Sequence, residues 1–134
     1  MSGTGETDLA VLLAGMSPEL HDGRYVFVVA DGPAGREEAV VVVTEAEGTT
    51  LVLPQERADE LGLAYGFVAS WITLRVHSAL DAVGLTAAFA AALTDEGISA
   101  NVVAGYFHDH LFVPVERRDD AMRALRDLAR RAAG

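Results

Sequence analysis

Apolar residues recur along this chain with two different periods, and each change of period marks a new element. From residue 71 to 77 the side chains alternate. Ile72, Leu74 and Val76 are apolar, and Trp71, Thr73, Arg75 and His77 fall between them. A period of two predicts a strand with one buried face. The period then lengthens: Leu85, Ala88, Phe89, Ala92 and Leu93 fall at helical spacing, and Gly97 predicts the stop. Residues 99–107 form the next predicted strand and residues 111–115 its hairpin partner, with Asp109 and His110 in the turn. Asp119 and Asp120 open a last helix at the positive end of its dipole, and Arg130 and Arg131 sit at the negative end. Met122, Leu125, Leu128 and Ala129 form its apolar stripe.

The first half shows the same two periods less sharply. Asp8 caps a short predicted helix through Ala14, with Leu9, Leu12 and Leu13 on one face and Gly15 closing it. Ser17 and Pro18 predict a turn. Residues 25–29 are β-branched and aromatic, hence a strand. A loop over 31–35 leads to a second strand at 38–44. Gly48 marks a turn and residues 50–53 a third strand. Pro54 ends that strand and opens a helix over 55–61. Residues 62–66 connect the halves.

The halves thus read α-β-β-β-α and β-α-β-β-α. Both point to an α+β, ferredoxin-like (βαββαβ-type) layout, with helices packed on one face of an antiparallel sheet. The predicted modules are residues 1–67 and 68–134. Each lacks one strand of the full pattern. Sharing one sheet and exchanging strands both remain open as solutions. Residues 25–29 or 111–115 are the candidates for an unpaired sheet edge, and such an edge predicts self-association, most simply as a homodimer.

Composition narrows the function classes. Apolar residues make up 51% and charged residues 22%, a globular balance. The net charge of −10 argues against nucleic acid and against an anionic membrane as partners, because both need clustered Lys and Arg. The absence of cysteine excludes disulfides, thiolate metal sites and a Cys nucleophile. No secretory signal is visible and no apolar run approaches the ~20 residues of a membrane span. A soluble cytoplasmic protein is the expectation.

The candidate chemistry lies between residues 71 and 116. A strand feeding a helix through a short glycine-containing turn leaves backbone N–H groups free at the helix start, and these suit a carboxylate or phosphate. Gly84 either permits that close approach or lets the helix pack on the sheet. Ser78 and Asp81 have capping-box spacing, and Asp81 also suits a ligand ammonium group. Asn101 interrupts a strand of Val and Ala. It either bonds a neighbouring loop or holds the polar group of an effector. His77, His108 and His110 are the one cluster suited to a transition metal, but a turn at Asp109 and His110 would break their geometry, so no metal is expected. His77, Ser78 and Asp81 are the residue types of a hydrolase triad, yet neighbours on a strand face opposite ways. No P-loop, nucleophile elbow or dinucleotide fingerprint occurs. Neither an enzyme nor a cofactor is expected.

Five segments carry a resemblance: EAEGTTLVLP at 45–54, WITLRVHS at 71–78, AVGLTA at 82–87, GISANVVA at 97–104 and HDHLFVP at 108–114. Together they resemble the ACT domain family of small regulatory modules, in particular its short, stand-alone tandem-ACT proteins of bacteria. The layout is also similar to the regulatory domains of aspartate kinases. The resemblance implies an amino acid or similar effector bound at an interface between ACT modules. Carried onto this chain, the binding residues are His77, Ser78, Ala79, Leu80, Asp81, Val83, Gly84 and Leu85 in the turn, and Asn101, Val102 and Val103 at the start of the next strand. The alternative is a ligand-free oligomerisation or protein-interaction module.

Overall fold

The alternating segments become strands, and the computed structural model describes residues 8–76 and 83–134. In chain order the elements are α1 (Leu9–Ala14), β1 (Ser17–Leu20), β2 (Tyr25–Val29), β3 (Val41–Glu45), β4 (Gly48–Pro54), α2 (Gln55–Leu61), β5 (Val68–Arg75), α3 (Leu85–Asp95), β6 (Asn101–Ala104), β7 (Asp109–Pro114) and α4 (Arg118–Ala133). A single 3-10 turn, Val115–Arg117, leads into α4. The chain divides into two compact units. One contains the chain up to His21 together with Trp71–Gly134, and the other is Asp22–Ser70.

In the first unit the strand order is β1-β5-β7-β6. Strand β1 runs antiparallel to β5, from Ser17 opposite Arg75 to Leu20 opposite Ile72. Strand β6 runs antiparallel to β7, from Asn101 opposite Phe112 to Ala104 opposite Asp109. The period of two now has its physical meaning. Ile72, Leu74 and Val76 of the β5 segment and Leu111 and Val113 of β7 face one shared core. Leu12 and Leu13 of α1, Phe89 and Leu93 of α3, and Met122 and Leu125 of α4 close that core from the other side. All three helices therefore lie on one face of the sheet, as the α+β reading expects.

The second unit holds β3-β4-β2 and the first residues of β5. Val26 and Val28 of β2, Leu51 and Leu53 of β4 and Ala58 of α2 form its core. Helix α2 ends as its sequence predicts, at Gly62 with φ +70, a left-handed conformation that glycine adopts without strain.

Three expectations are corrected. Ser17 and Pro18 do not form a turn but open strand β1. Proline is tolerated there because, among the described strands, β1 pairs only with β5 and so lies at an edge. Strand β3 begins at Val41 and not at Glu38, which lies in a turn and forms an ion pair with Arg57. Finally, β2 and β7 are not edges. Strand β2 lies between β4 and β5, and β7 lies between β5 and β6. Among the described strands the open edges are β3 in one unit and β1 and β6 in the other.

Candidate functional site

Helix α3 starts at Leu85, and its N-cap position is Gly84 with φ +96. Only glycine holds that backbone without strain. The N–H of Ala88 bonds the Gly84 carbonyl oxygen at 2.9 Å, which begins the helical ladder. The first turn carries no acidic residue, so its N–H groups meet no carboxylate of their own helix. Leu85 is buried in the core and positions this helix end, while Val83 is exposed. The predicted cap residues Ser78 and Asp81 lie outside the described residues, as do His77, Ala79 and Leu80. The cap position of α3 is thus Gly84 and not Ser78.

Gly84 is more constrained than its sequence context suggests. A Cβ placed there would lie 3.2 Å from the Leu9 side chain of α1. Gly84→Val therefore costs stability through its left-handed backbone as well as bearing on any ligand. Strain of about 1–3 kcal/mol is expected from the left-handed backbone alone, read as a lower urea midpoint. A midpoint equal to that of the unchanged protein would refute this.

Asn101, Val102 and Val103 form the start of β6, which pairs among the described strands with β7 alone. Val102 packs against the helix-side core. Asn101 and Val103 alternate with it and so point to the other face of the sheet. Asn101 is exposed, so its amide needs no buried partner. Within one copy the structure therefore gathers Leu85 and Val102 in one core, and sets Asn101 and Val103 on the helix-free face.

That face also carries a network that sequence reasoning missed. His21, just after β1, stacks on Trp71 of β5, with ring centroids 3.6 Å apart and planes 10° apart. His21 Nε2 lies 2.7 Å from Thr73 Oγ1. The Trp71 indole N–H donates to His110 Nδ1 at 3.1 Å, and Thr73 Oγ1 lies 3.2 Å from the same nitrogen. Burial, followed by the positive fields of His108, His21 and Arg75, pushes His110 below the ordinary histidine value. The period of two had placed Trp71 and Thr73 on one face. Nothing in the local sequence points to His21, which lies far from them in the chain.

Asp109 and His110 are not a hairpin turn; they open β7. Residues 105–108 make the turn, closed by the Gly105 N–H donating to the His108 carbonyl at 2.9 Å. A Cβ on Gly105 would lie 2.8 Å from that carbonyl oxygen, so the turn forms where glycine permits it. Asp109 is buried, and burial raises its carboxyl above the usual range against the opposing field of His108. Among the described residues no group of three His, Cys, Asp or Glu could hold a metal ion. His77, the third member of the predicted histidine cluster, lies outside them.

The first unit also has a surface cleft of about 510 Å³ between β1 and α4, lined by Glu19, Leu20, Arg75, Asp119, Met122 and Arg126. Its charged wall is the ion pair of Arg75 with Glu19, at 2.7 Å. Arg75 holds the Glu19 carboxyl below its usual range. No residue singled out from the sequence as a ligand contact lines this cleft. Among the described residues no helix is long and apolar enough to cross a membrane.

One ACT domain profile matches residues 4–70 and a second matches residues 67–127. No protein of curated function matches the sequence. Among solved structures, the chain is similar to a Vibrio cholerae protein of unknown function described as a possible transport protein. The two are 49% identical over 90% of this chain and 95% of that one, with a TM-score of 0.80. The fold is also that of the ligand-free regulatory subunit of aspartate kinase from Thermus thermophilus, which is 10% identical over 84% of this chain and 95% of that one, with a TM-score of 0.58. It is shared with E. coli aspartokinase III in complex with aspartate and ADP, at 12% identity over 84% of this chain and 32% of that one and a TM-score of 0.57.

Proposed function

Since the chain belongs to the ACT domain family, we propose that it is a non-enzymatic regulatory protein that senses an amino acid at an interface between ACT modules. A small-molecule-binding regulatory role is the general property of such modules. The observation that carries the finer reading is the start of α3. Gly84 brings bare backbone to the head of an 11-residue helix whose first turn has no acidic residue. Backbone N–H groups in that setting favour a carboxylate. The proposed ligand residues are His77 to Asp81, Val83, Gly84, Leu85, and Asn101 to Val103. The aspartokinase III neighbour was solved with aspartate, which supports an amino acid as the ligand class.

The proposed modules are residues 1–67 and 68–134. Elements α1 and β1 fall within the first family match, yet they belong to the compact unit that holds α3, β6, β7 and α4. That arrangement supports strand exchange between modules. Self-association as a dimer is part of the proposal, and the edges that suit it are β3 and β6. Val42 and Val43 of β3 are 47% and 43% exposed, which favours the second reading, a ligand-free interaction module. With no cysteine and a strong net negative charge, we place the protein in the cytoplasm, without nucleic acid or membrane partners.

A thermal-shift screen of dialysed protein against the common amino acids tests the effector. Ligand at about 100 times its Kd adds about 2.7 kcal/mol of stability, a clear rise in melting temperature. Asn101→Ala is the companion test. Asn101 is exposed, so its loss should change stability by no more than about 0.5 kcal/mol, while weakening the effector. If no amino acid shifts the melt and calorimetry is also silent, the interaction-module reading stands instead.

A further inference from the structure

The bond from Trp71 constrains how His110 can hold a positive charge. An indole N–H only donates. His110 Nδ1, 3.1 Å from Trp71 Nε1, must therefore present a lone pair, and the neutral ring carries its proton on Nε2. The Thr73 hydroxyl sits between two rings, 3.2 Å from His110 Nδ1 and 2.7 Å from His21 Nε2. One assignment gives all four groups consistent roles. His21 Nε2–H donates to Thr73, and the Thr73 hydroxyl and the Trp71 N–H share the single lone pair of His110 Nδ1.

A proton affects the two rings differently. Protonated His21 still donates to Thr73 from Nε2, so its bond survives. Protonated His110 would carry hydrogen on Nδ1, directly facing the Trp71 N–H. The Trp71 N–H would then oppose another donor, while the Thr73 hydroxyl would turn a lone pair towards the new N–H. The surroundings make that charge costly. Glu19 on β1 is paired with Arg75 at 2.7 Å, and its remaining field falls on His21 and His108. His21 beyond β1, Arg75 on β5 and His108 in the hairpin add positive field at His110. Asp109, the nearest acid in sequence, is buried at the start of β7. The Gly105 backbone closes on the far side of the ring, since a Cβ there would lie 3.2 Å from His110 Nε2.

We propose that this network is a proton-sensitive latch, closed while His110 is neutral and released when His110 takes a proton. His110 lies directly opposite Val103 in the β6–β7 ladder. Release would thus loosen the hairpin and the edge strand beside it.

The sign follows from linkage. In the folded chain His110 resists protonation more than in the unfolded chain, so the unfolded state binds more protons between the two values. The latch contributes fully above the ordinary histidine value of about 6.5, and its contribution is lost as pH falls from there through the depressed value.

Trp71 is the only tryptophan, so emission reads this site alone. Emission should be titrated from about pH 8 to about pH 5, the histidine range, with far-UV circular dichroism as the check on folding. A change in emission with a midpoint below about 6.5 is expected, while the dichroism holds. His110→Asn keeps an acceptor near the Nδ1 position but cannot titrate, so the transition should vanish. His21→Gln keeps a donor towards Thr73, so the transition should remain. No transition in the unchanged protein overturns the proposal. So does a transition that survives in His110→Asn, one that disappears only in His21→Gln, or one that coincides with unfolding. Should His110→Asn fail to fold, ring-proton NMR of the unchanged protein decides. The His110 resonance must titrate below the ordinary value, and titration at or above it overturns the latch.

Discussion

Expressed separately, residues 1–67 and 68–134 are expected to give unfolded or aggregating fragments, not two working modules. The core of the first unit explains why. Leu12, Leu13 and Met16 come from the start of the chain, yet they pack with Phe89, Leu93, Leu111 and Leu125 from its second half. The second fragment would lose all three at once, together with the pairing of Ser17–Leu20 against β5. Losing one large buried apolar side chain costs about 2–5 kcal/mol. Losing three removes as much as the roughly 5–15 kcal/mol that holds a typical domain together. The first fragment would carry the same three residues without their partners, and Val26 would lose Val68 beside it in the sheet. Circular dichroism and amide NMR of each fragment check this. Two well-dispersed spectra would sink it.

Phe89→Ala is expected to have the largest effect of any single substitution considered, about 3–5 kcal/mol of stability. Phe89 is 0% exposed, and it sits in the cluster that joins α1, α3 and α4 to the sheet. Truncation leaves a cavity in the core that α1, α3 and α4 share with the sheet. The helices cannot all collapse into it without breaking their own packing. Urea unfolding should show a much lower midpoint with an unchanged slope. A loss under about 1.5 kcal/mol would mean that the helices close over the gap. Because α3 carries Gly84 at its head, the same substitution should also weaken any ligand held there.

Much of the fold follows from local pattern. Helix α2 spans Gln55–Leu61 and strand β2 spans Tyr25–Val29, the bounds that proline, glycine and β-branched residues predict. Helix α3 begins at Leu85, the first residue of its apolar stripe. Asp8 caps α1 as its side chain predicts, accepting from the Val11 N–H at 3.2 Å. These features depend on neighbours within one or two turns, so the residues in view are enough to determine them.

Other features depend on pairings that no local pattern encodes. Ser17 and Pro18 carry turn chemistry, but an open strand in β5 recruits them as an edge. The β6–β7 turn falls at residues 105–108, because only Gly105 allows the His108 carbonyl to approach. Gly84 looks open in sequence, and the nearness of Leu9 appears only when α1 meets α3. For the site, the sequence could nominate Gly84, Asn101 and the histidines by type alone. It could not show that Asn101 is exposed, or that His110 answers to Trp71. By itself the sequence determined the periods, the caps at Asp8 and Gly62 and the family, since each is written in residues close along the chain. The partners of β1, the true sheet edges and the network joining His21, Trp71, Thr73 and His110 were decided only by the tertiary structure, because a contact between distant residues exists only once the sheet brings their strands together.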